Sequence, residues 1–599
     1  MTVGVVSASF FDFFGAPPAI GRYFSAQEDQ PPRFFLWPQR GAPHIVARPP
    51  KPPTSMITPI GRTLRRTWRT FPLATTLVAM LSAQSGAQAN FGDLAAGPYN
   101  RLVIRGAMVI PGHGGPPAGP YDIVIERNMI TQMVPFDPVS AEREQRQRPT
   151  GDRVIDATGK FVMPGMIDLH THIRTQPQEN EYAWYLRLAH GVTGMVNAPD
   201  RSLDSAMYQA KRSADNTILA PRMWPIWNWG AGVSRSREQL EDPRMAPEIA
   251  REMVSKGARV VSLGSVTWDT ALFGAVAKAV WNAGGITTIH LPPSTNAVVN
   301  AAKAACLGAT MIEHHYGYAE SALERQTQNF ERRYNFDNEN DRFRAAGAVW
   351  LEADRARLLG EVADSMVKCG VTMLPTRVVY EANRDFIRAS SLPWLDKYTH
   401  QSLINWNLPN PAYHGSFHYD WTSDDEYYWT YAFRLWGDLI AEFNRRGGRV
   451  AYGTDDNYIW ATPGFSAIRE LQLLRETGMH SLEVLKAATK NSAETLREPK
   501  LGLVRPGYQA DLLIVDGNPA YNLKFMYAVG DLTLDKDGKM IRTKGIIHTV
   551  KDGIVIENAR LMEEVEKMVV KSKLSVPAAN AVTEPWLRSG RPIVPNGRR

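Results

Sequence analysis

Phe161-Val-Met-Pro-Gly-Met-Ile-Asp-Leu-His-Thr-His172 decides the reading of this chain. Val162, Ile167 and Leu169 suit a strand, and Pro164 and Gly165 punctuate its entry. A strand turns alternate side chains to one face. His170 and His172 therefore point the same way, one pleat apart. Two imidazoles on one rigid face make half of a divalent-metal site. A lone histidine is more often a satisfied core residue; a His-x-His pair closing an apolar strand favours the metal.

Downstream, short apolar runs alternate with helical patterns, the signature of βα units and a parallel sheet. The candidate strands are 192–197, 222–227, 258–263, 285–290, 309–314, 371–376 and 449–455. With the His-Thr-His strand they make eight, the number that closes a (β/α)8 TIM-type barrel. The expected fold class is therefore α/β, with the barrel over residues 161–498. An insertion around 378–428, rich in Trp, Tyr, Asn and Pro, follows the seventh strand. A connection that long in a compact domain is more often functional than idle. His290, His314 and Asp455 each end one of the runs. Barrel active sites lie at the C-terminal strand ends, so these residues would converge on His170 and His172. His315, beside His314, faces the other way if the strand continues and is the second choice.

Strand-like runs also flank the barrel, at 101–105, 121–126 and 154–160 before it and at 507–515 and 545–556 after it. Neither set is long enough to bury a core alone. The economical solution is one small composite β-sandwich with parts at 90–160 and 499–560, followed by a C-terminal tail at 561–599.

The 599 residues carry 44% apolar and 22% charged side chains, the balance of a soluble globular protein. The net charge of +7 is concentrated in residues 1–89, which hold 9 Lys+Arg against 3 Asp+Glu. The remaining 59 basic and 58 acidic residues nearly cancel and give no electrostatic case for a nucleic-acid partner. Residues 1–89 read as a leader. Arg62, Arg65, Arg66 and Arg69 precede a short apolar run at 71–81, and Ala87-Gln88-Ala89 is a small-x-small cleavage signal. Translation starting at Met56 and cleavage after Ala89 are expected, giving an exported, periplasmic protein. The apolar run is too short to span a bilayer comfortably, so no membrane span is expected in the mature protein. Cys306 and Cys369 each precede an apolar run and read as inert core residues, with a disulfide left open. There is no phosphate loop, dinucleotide fingerprint or Gly-x-Ser-x-Gly elbow.

Met163-Pro-Gly-Met-Ile-Asp-Leu-His-Thr-His172, Gly191-Val-Thr193, Ile312-Glu-His314, Gly453-Thr-Asp455 and Gly507-Tyr-Gln-Ala-Asp-Leu-Leu-Ile514 together resemble the amidohydrolase superfamily, in its imidazolonepropionase and secreted dipeptidase-like branch. The resemblance covers roughly Arg101 to Glu557. It implies metal ligation by His170, His172, His290, His314 and Asp455. Many relatives carry a carbamylated lysine in the fourth strand that bridges two metals; Ser262 stands there in this chain. A hydroxyl replaces a bridging carboxylate poorly, which argues for one ion per chain, zinc by default, with iron or manganese open. Asp269 is a remote alternative bridge.

An ion with open coordination lowers the pKa of bound water from about 16 to roughly 7 and polarises a carbonyl. Asp455 would take the water's proton and pass it to the leaving nitrogen, with His314 as a second catalytic group. The expected activity is hydrolysis of a C–N bond in a small amide, dipeptide or cyclic amide. A heterocycle deaminase and a barrel that has lost turnover and acts as a binding protein stay open, as does a homo-oligomer. Arg377, Tyr316 and Trp227 are the candidate substrate contacts; Trp224, Trp229, Tyr318 and Tyr380 cluster nearby in sequence.

Overall fold

The structure is a computed structural model. It describes residues 89–574, apart from 144–146, 174–176, 200–201, 292–297, 324–333, 336–337, 409–417 and 419–420. The expected leader, its Met56 start and the stretch beyond 574 lie outside the described residues.

Eight parallel strands follow one another around a single sheet. They are β1 (Met166–Ile173), β2 (Val192–Pro199), β3 (Arg222–Asn228), β4 (Val260–Ser262), β5 (Ile286–Ile289), β6 (Met311–Glu313), β7 (Thr372–Leu374) and β8 (Arg449–Val450). Each pairs with the next. Backbone hydrogen bonds from Leu169 N to Tyr452 O (2.9 Å) and from Asp455 N to His170 O (2.7 Å) join the chain after β8 to β1, so the sheet curls round onto itself. Ile167, Leu169, Val196, Trp224, Ile226, Val260, Ile286, Met311 and Leu374 fill the interior. Alternate residues such as Met195, Trp227 and Val261 pack outward under the helices.

The opening stretch is two strands rather than one. Phe161–Pro164 belongs to a separate ten-stranded sheet, and the chain crosses into β1 at Gly165. A Cβ at Gly165 would collide with the Thr193 side chain, so glycine is needed where the two sheets meet. In the ten-stranded sheet the C-terminal strands Leu512–Val515, Ile546–Lys551 and Ile554–Glu557 lie between Ala95–Gly97 on one side and Phe161–Pro164 on the other. Leu102, Ile104, Ile123, Ile125, Val162, Leu512, Ile514 and Val550 form its own core. Neither chain end makes this layer without the other.

Three features differ from the sequence reading. The insertion after β7 is mostly helical: short segments including Phe386–Ser390, Leu395–Tyr398 and Gln401–Asn407 lead into the long helix Ser423–Arg445. That helix starts at a capping box in which Thr422 and Asp425 satisfy each other's backbone N–H. The presumed tail opens with the helix Asn558–Leu574, which buries Leu561, Met562, Val565 and Val569. Cys306 and Cys369 form a disulfide and are exposed rather than core. They end the helices Ala301–Cys306 and Ala363–Cys369, which feed the adjacent strands β6 and β7, so their Cα atoms come within 5.0 Å.

Candidate metal and active site

Five of the expected ligands line one cavity of about 290 Å³ at the C-terminal strand ends: His170, His172, His290, His314 and Asp455. His170 and His172 share a face of β1. Asp455 Oδ1 lies 2.9 Å from His172 Nε2 and 3.4 Å from His170 Nε2, and its Oδ2 lies 3.7 Å from His314 Nδ1. The His290 ring stands 4.8 Å from the His314 ring, nearer the mouth. Among the described residues two groups have ligand atoms close enough to hold one ion: His170, His172 and Asp455, and His170, Glu313 and His314. These donors fit a divalent cation, which borderline-soft imidazole and hard carboxylate ligate together.

Backbone conformation assembles this cluster. His314, Thr376 and Asp455 follow strands β6, β7 and β8, and all have left-handed backbones, with φ of 63°, 50° and 53°. Such conformations cost energy in non-glycine residues and concentrate at functional sites. At His314 the twist defeats strand alternation, so Glu313 and His314 both reach the cluster. Asp168 underpins the opposite side. It accepts hydrogen bonds from the Thr454 N–H (3.0 Å), the Thr454 hydroxyl (2.7 Å) and the His170 N–H (3.1 Å).

The electrostatics are those of tightly packed, oppositely charged partners. Burial alone would raise the Asp455 carboxyl, but His170, His172 and His314 together hold the group well below the ordinary range. Glu313 behaves likewise: its burial is overcome by His170, His314 and the Thr288 hydroxyl together, and the carboxyl comes down to about 2. For the His170 ring, burial opposes charge while Glu313 and then Asp455 favour it, and the result lies well above the ordinary value. Burial brings His314 down to about 3, so its ring is neutral and suited to ligation.

The remaining expected residues divide. Tyr316 lines the cavity, 4.8 Å from His290 ring to ring. Trp227 does not line it: strand alternation turns Trp224 and Ile226 into the barrel and Trp227 outward, against Gly232. Arg377 does not line it either. The left-handed turn at Thr376 sends it against the helix Ser423–Arg445, where it stacks 3.9 Å over Phe433 and donates to Phe433 O at 3.1 Å. His315 is buried among Tyr316, Tyr380 and Trp429, away from the cluster. Ser262 donates no ligand and its hydroxyl accepts from Gly264 N. Asp269 caps the helix Thr270–Ala283 and is not a bridge. Sequence reasoning missed Glu313 and also Arg342, which lines the cavity beside Phe343 and Tyr380.

Residues 438–555, which include Asp455, match the amidohydrolase family model. Ochratoxinase from Aspergillus niger is 34% identical over 106 residues, 17% of this chain and 21% of that protein. Dihydropyrimidinase from Arabidopsis thaliana is 28% identical over 172 residues, 27% of this chain and 30% of that protein. By the family-model match, residues 438–555 belong to the amidohydrolase family. These matches reach only about a fifth to a third of the relatives' lengths. Among solved structures, bottromycin amidohydrolase superposes with a TM-score of 0.52 at 16% identity, covering 79% of this chain and 91% of that one. A putative prolidase from Bifidobacterium longum gives 0.51 at 16% identity, covering 78% and 99%. These two likenesses are of fold alone, and they span the region outside the family match.

Proposed function

We propose that this amidohydrolase hydrolyses a C–N bond in a small amide, dipeptide or cyclic amide, using one divalent ion, zinc by default. The observation that carries the reading is the convergence of His170, His172 and Asp455 on one point at the barrel's C-terminal end. When bound, the ion would activate a water as nucleophile and polarise the scissile carbonyl. His170 and His172 would hold it through Nε2, together with Asp455. Glu313, 3.0 Å from His170 Nδ1, fixes the ring so that Nε2 faces Asp455. The Thr288 hydroxyl donates to Glu313 and fixes the carboxylate in turn. Glu313 occupies the Nδ1 side of His170, which leaves Nε2, facing Asp455, as the ring nitrogen for an ion. With Ser262 in the fourth strand, this supports a single ion.

Asp455 takes a proton from the attacking water and passes it to the leaving nitrogen. His314 and His290 complete the cluster or hydrogen-bond the substrate carbonyl. Arg342 gives the cavity a guanidinium, so a substrate carrying a carboxylate beside the scissile amide fits best. Tyr316 and Tyr380 supply flat apolar walls. We also propose export to the periplasm: the basic, apolar and small-x-small succession of the leader supports it, and a disulfide between two exposed cysteines suits an oxidising compartment. Among the described residues no helix is long and apolar enough to cross a membrane. Elemental analysis of the purified protein tests the metal reading; about one tightly held ion per chain supports it, and two ions per active chain overturn the one-ion form.

A further inference from the structure

A second cavity, of about 680 Å³ and more than twice the volume of the histidine cavity, lies between the insertion after β7, the helix Phe465–Glu476 and the segment around 524–542. Its floor is aromatic. Trp394 stacks on the buried Phe465 with ring centroids 4.8 Å apart and planes 13° from parallel. The Tyr527 ring lies 5.4 Å from Trp394, and its hydroxyl donates to Gln472 Oε1 at 2.9 Å. The Trp394 indole N–H is buried and makes no hydrogen bond, which leaves an unsatisfied donor in the wall.

The rest of the lining is cationic. Arg388, Lys397, Arg469, Lys524 and Arg542 face Asp531 as the one carboxylate in the lining. Lys524 is paired with Asp531 at 2.7 Å, and Lys397 with Glu566 at 3.1 Å. Arg469 and Arg388 share Glu381. Arg542 differs: it donates to the Gly530 carbonyl at 3.1 Å and has no carboxylate partner among the described residues. Arg469 also meets Glu476 at 2.9 Å, so Arg542 is the one lining cation without a carboxylate among the described residues, and a roomy pocket of this size accepts a drug-sized molecule.

We propose that this cavity is a second ligand site, separate from the histidine cluster, for a small aromatic carboxylate whose ring lies on Trp394 and Tyr527 and whose carboxylate meets Arg542. Ring stacking supplies the apolar contact, and the guanidinium fork supplies a directional, charge-assisted contact for the carboxylate. The site does not depend on turnover or on a metal.

Isothermal titration of the full chain with 2-naphthoate tests it, with 2-naphthamide as the uncharged isostere. Saturable binding is expected, with the amide about tenfold or more weaker. Arg542 is exposed, so Arg542→Glu should fold normally, as thermal melting would verify, and weaken naphthoate by about tenfold or more. Lys524→Glu should weaken it in the same direction. Arg342→Ala, in the histidine cavity, should leave it unchanged. No binding at millimolar naphthoate, equal binding of the amide, or loss through Arg342→Ala but not Arg542→Glu would each overturn the proposal.

Discussion

The Glu313 carboxylate lies 3.0 Å from Nδ1 of His170. The other nitrogen of that ring, Nε2, lies 3.4 Å from Asp455. One buried imidazole is thus held between an acid that orients it and an acid that shares its metal face. Carboxylate–histidine–metal relays of this kind typically contribute 10–100-fold to metal affinity. Glu313→Gln should therefore weaken metal binding about 10–100-fold in chelator competition while leaving the fold intact. Unchanged affinity would remove Glu313 from the site's working parts.

His172→Ala removes a ligand 2.9 Å from Asp455. Metal content and activity should fall together. Asp455→Asn should keep much of the metal and lose about 10²–10⁴ in rate, the usual worth of positioned proton transfer. Near-normal turnover in Asp455→Asn would refute its proton-transfer role.

The composite sheet makes a stability prediction. Leu512–Val515 pairs with Phe161–Pro164, and Ile554–Glu557 pairs with Ala95–Gly97. A chain truncated after about Glu498 leaves the N-terminal strands without these neighbours and strips the partners from Val162 and Ile104 in the shared core. Insoluble protein is expected. A soluble, active truncation would contradict the arrangement.

Glu470 sets a pH dependence outside the metal cluster. It is fully buried and accepts a hydrogen bond from Val378 N at 2.7 Å. Burial pushes its carboxyl up to about 8 from an ordinary 4.5. The folded state therefore holds this proton where the unfolded chain has released it. The stabilisation is complete below the unfolded value and is lost as pH rises through about 8. Glu470→Gln mimics the protonated form, so its melting temperature relative to the parent should rise between about pH 5 and pH 9. A constant difference across that range would contradict the assignment.

The barrel was legible because its strands are short apolar runs bounded by turn residues, and each candidate ligand ends one of them. Legibility failed where the backbone departs from alternation. Strand alternation turns Glu313 to the face opposite His314, yet the left-handed His314 backbone brings both to the cluster. Arg377 was misplaced by the same kind of turn at Thr376. For Trp227 the error was different, since alternation with Trp224 and Ile226 already implied an outward side chain. Arg342 lies in the first turn of the helix Glu339–Glu352, whose approach to the cavity is a tertiary fact without a local sequence signal. The Cys306–Cys369 bond depends on β6 and β7 being neighbours, which spacing along the chain does not reveal.

The measurement that bears most directly on the central claim is a turnover screen of the zinc-reconstituted full chain. N-acyl amino acids and dipeptides are compared with aminated heterocycles, reading free amine with ninhydrin and ammonia separately, with Asp455→Asn as the control. Metal-dependent release of amino acid from an amide or dipeptide, lost in Asp455→Asn, is the predicted result. Ammonia release from a heterocycle alone, or no turnover of any substrate by protein that holds its metal, would contradict the account.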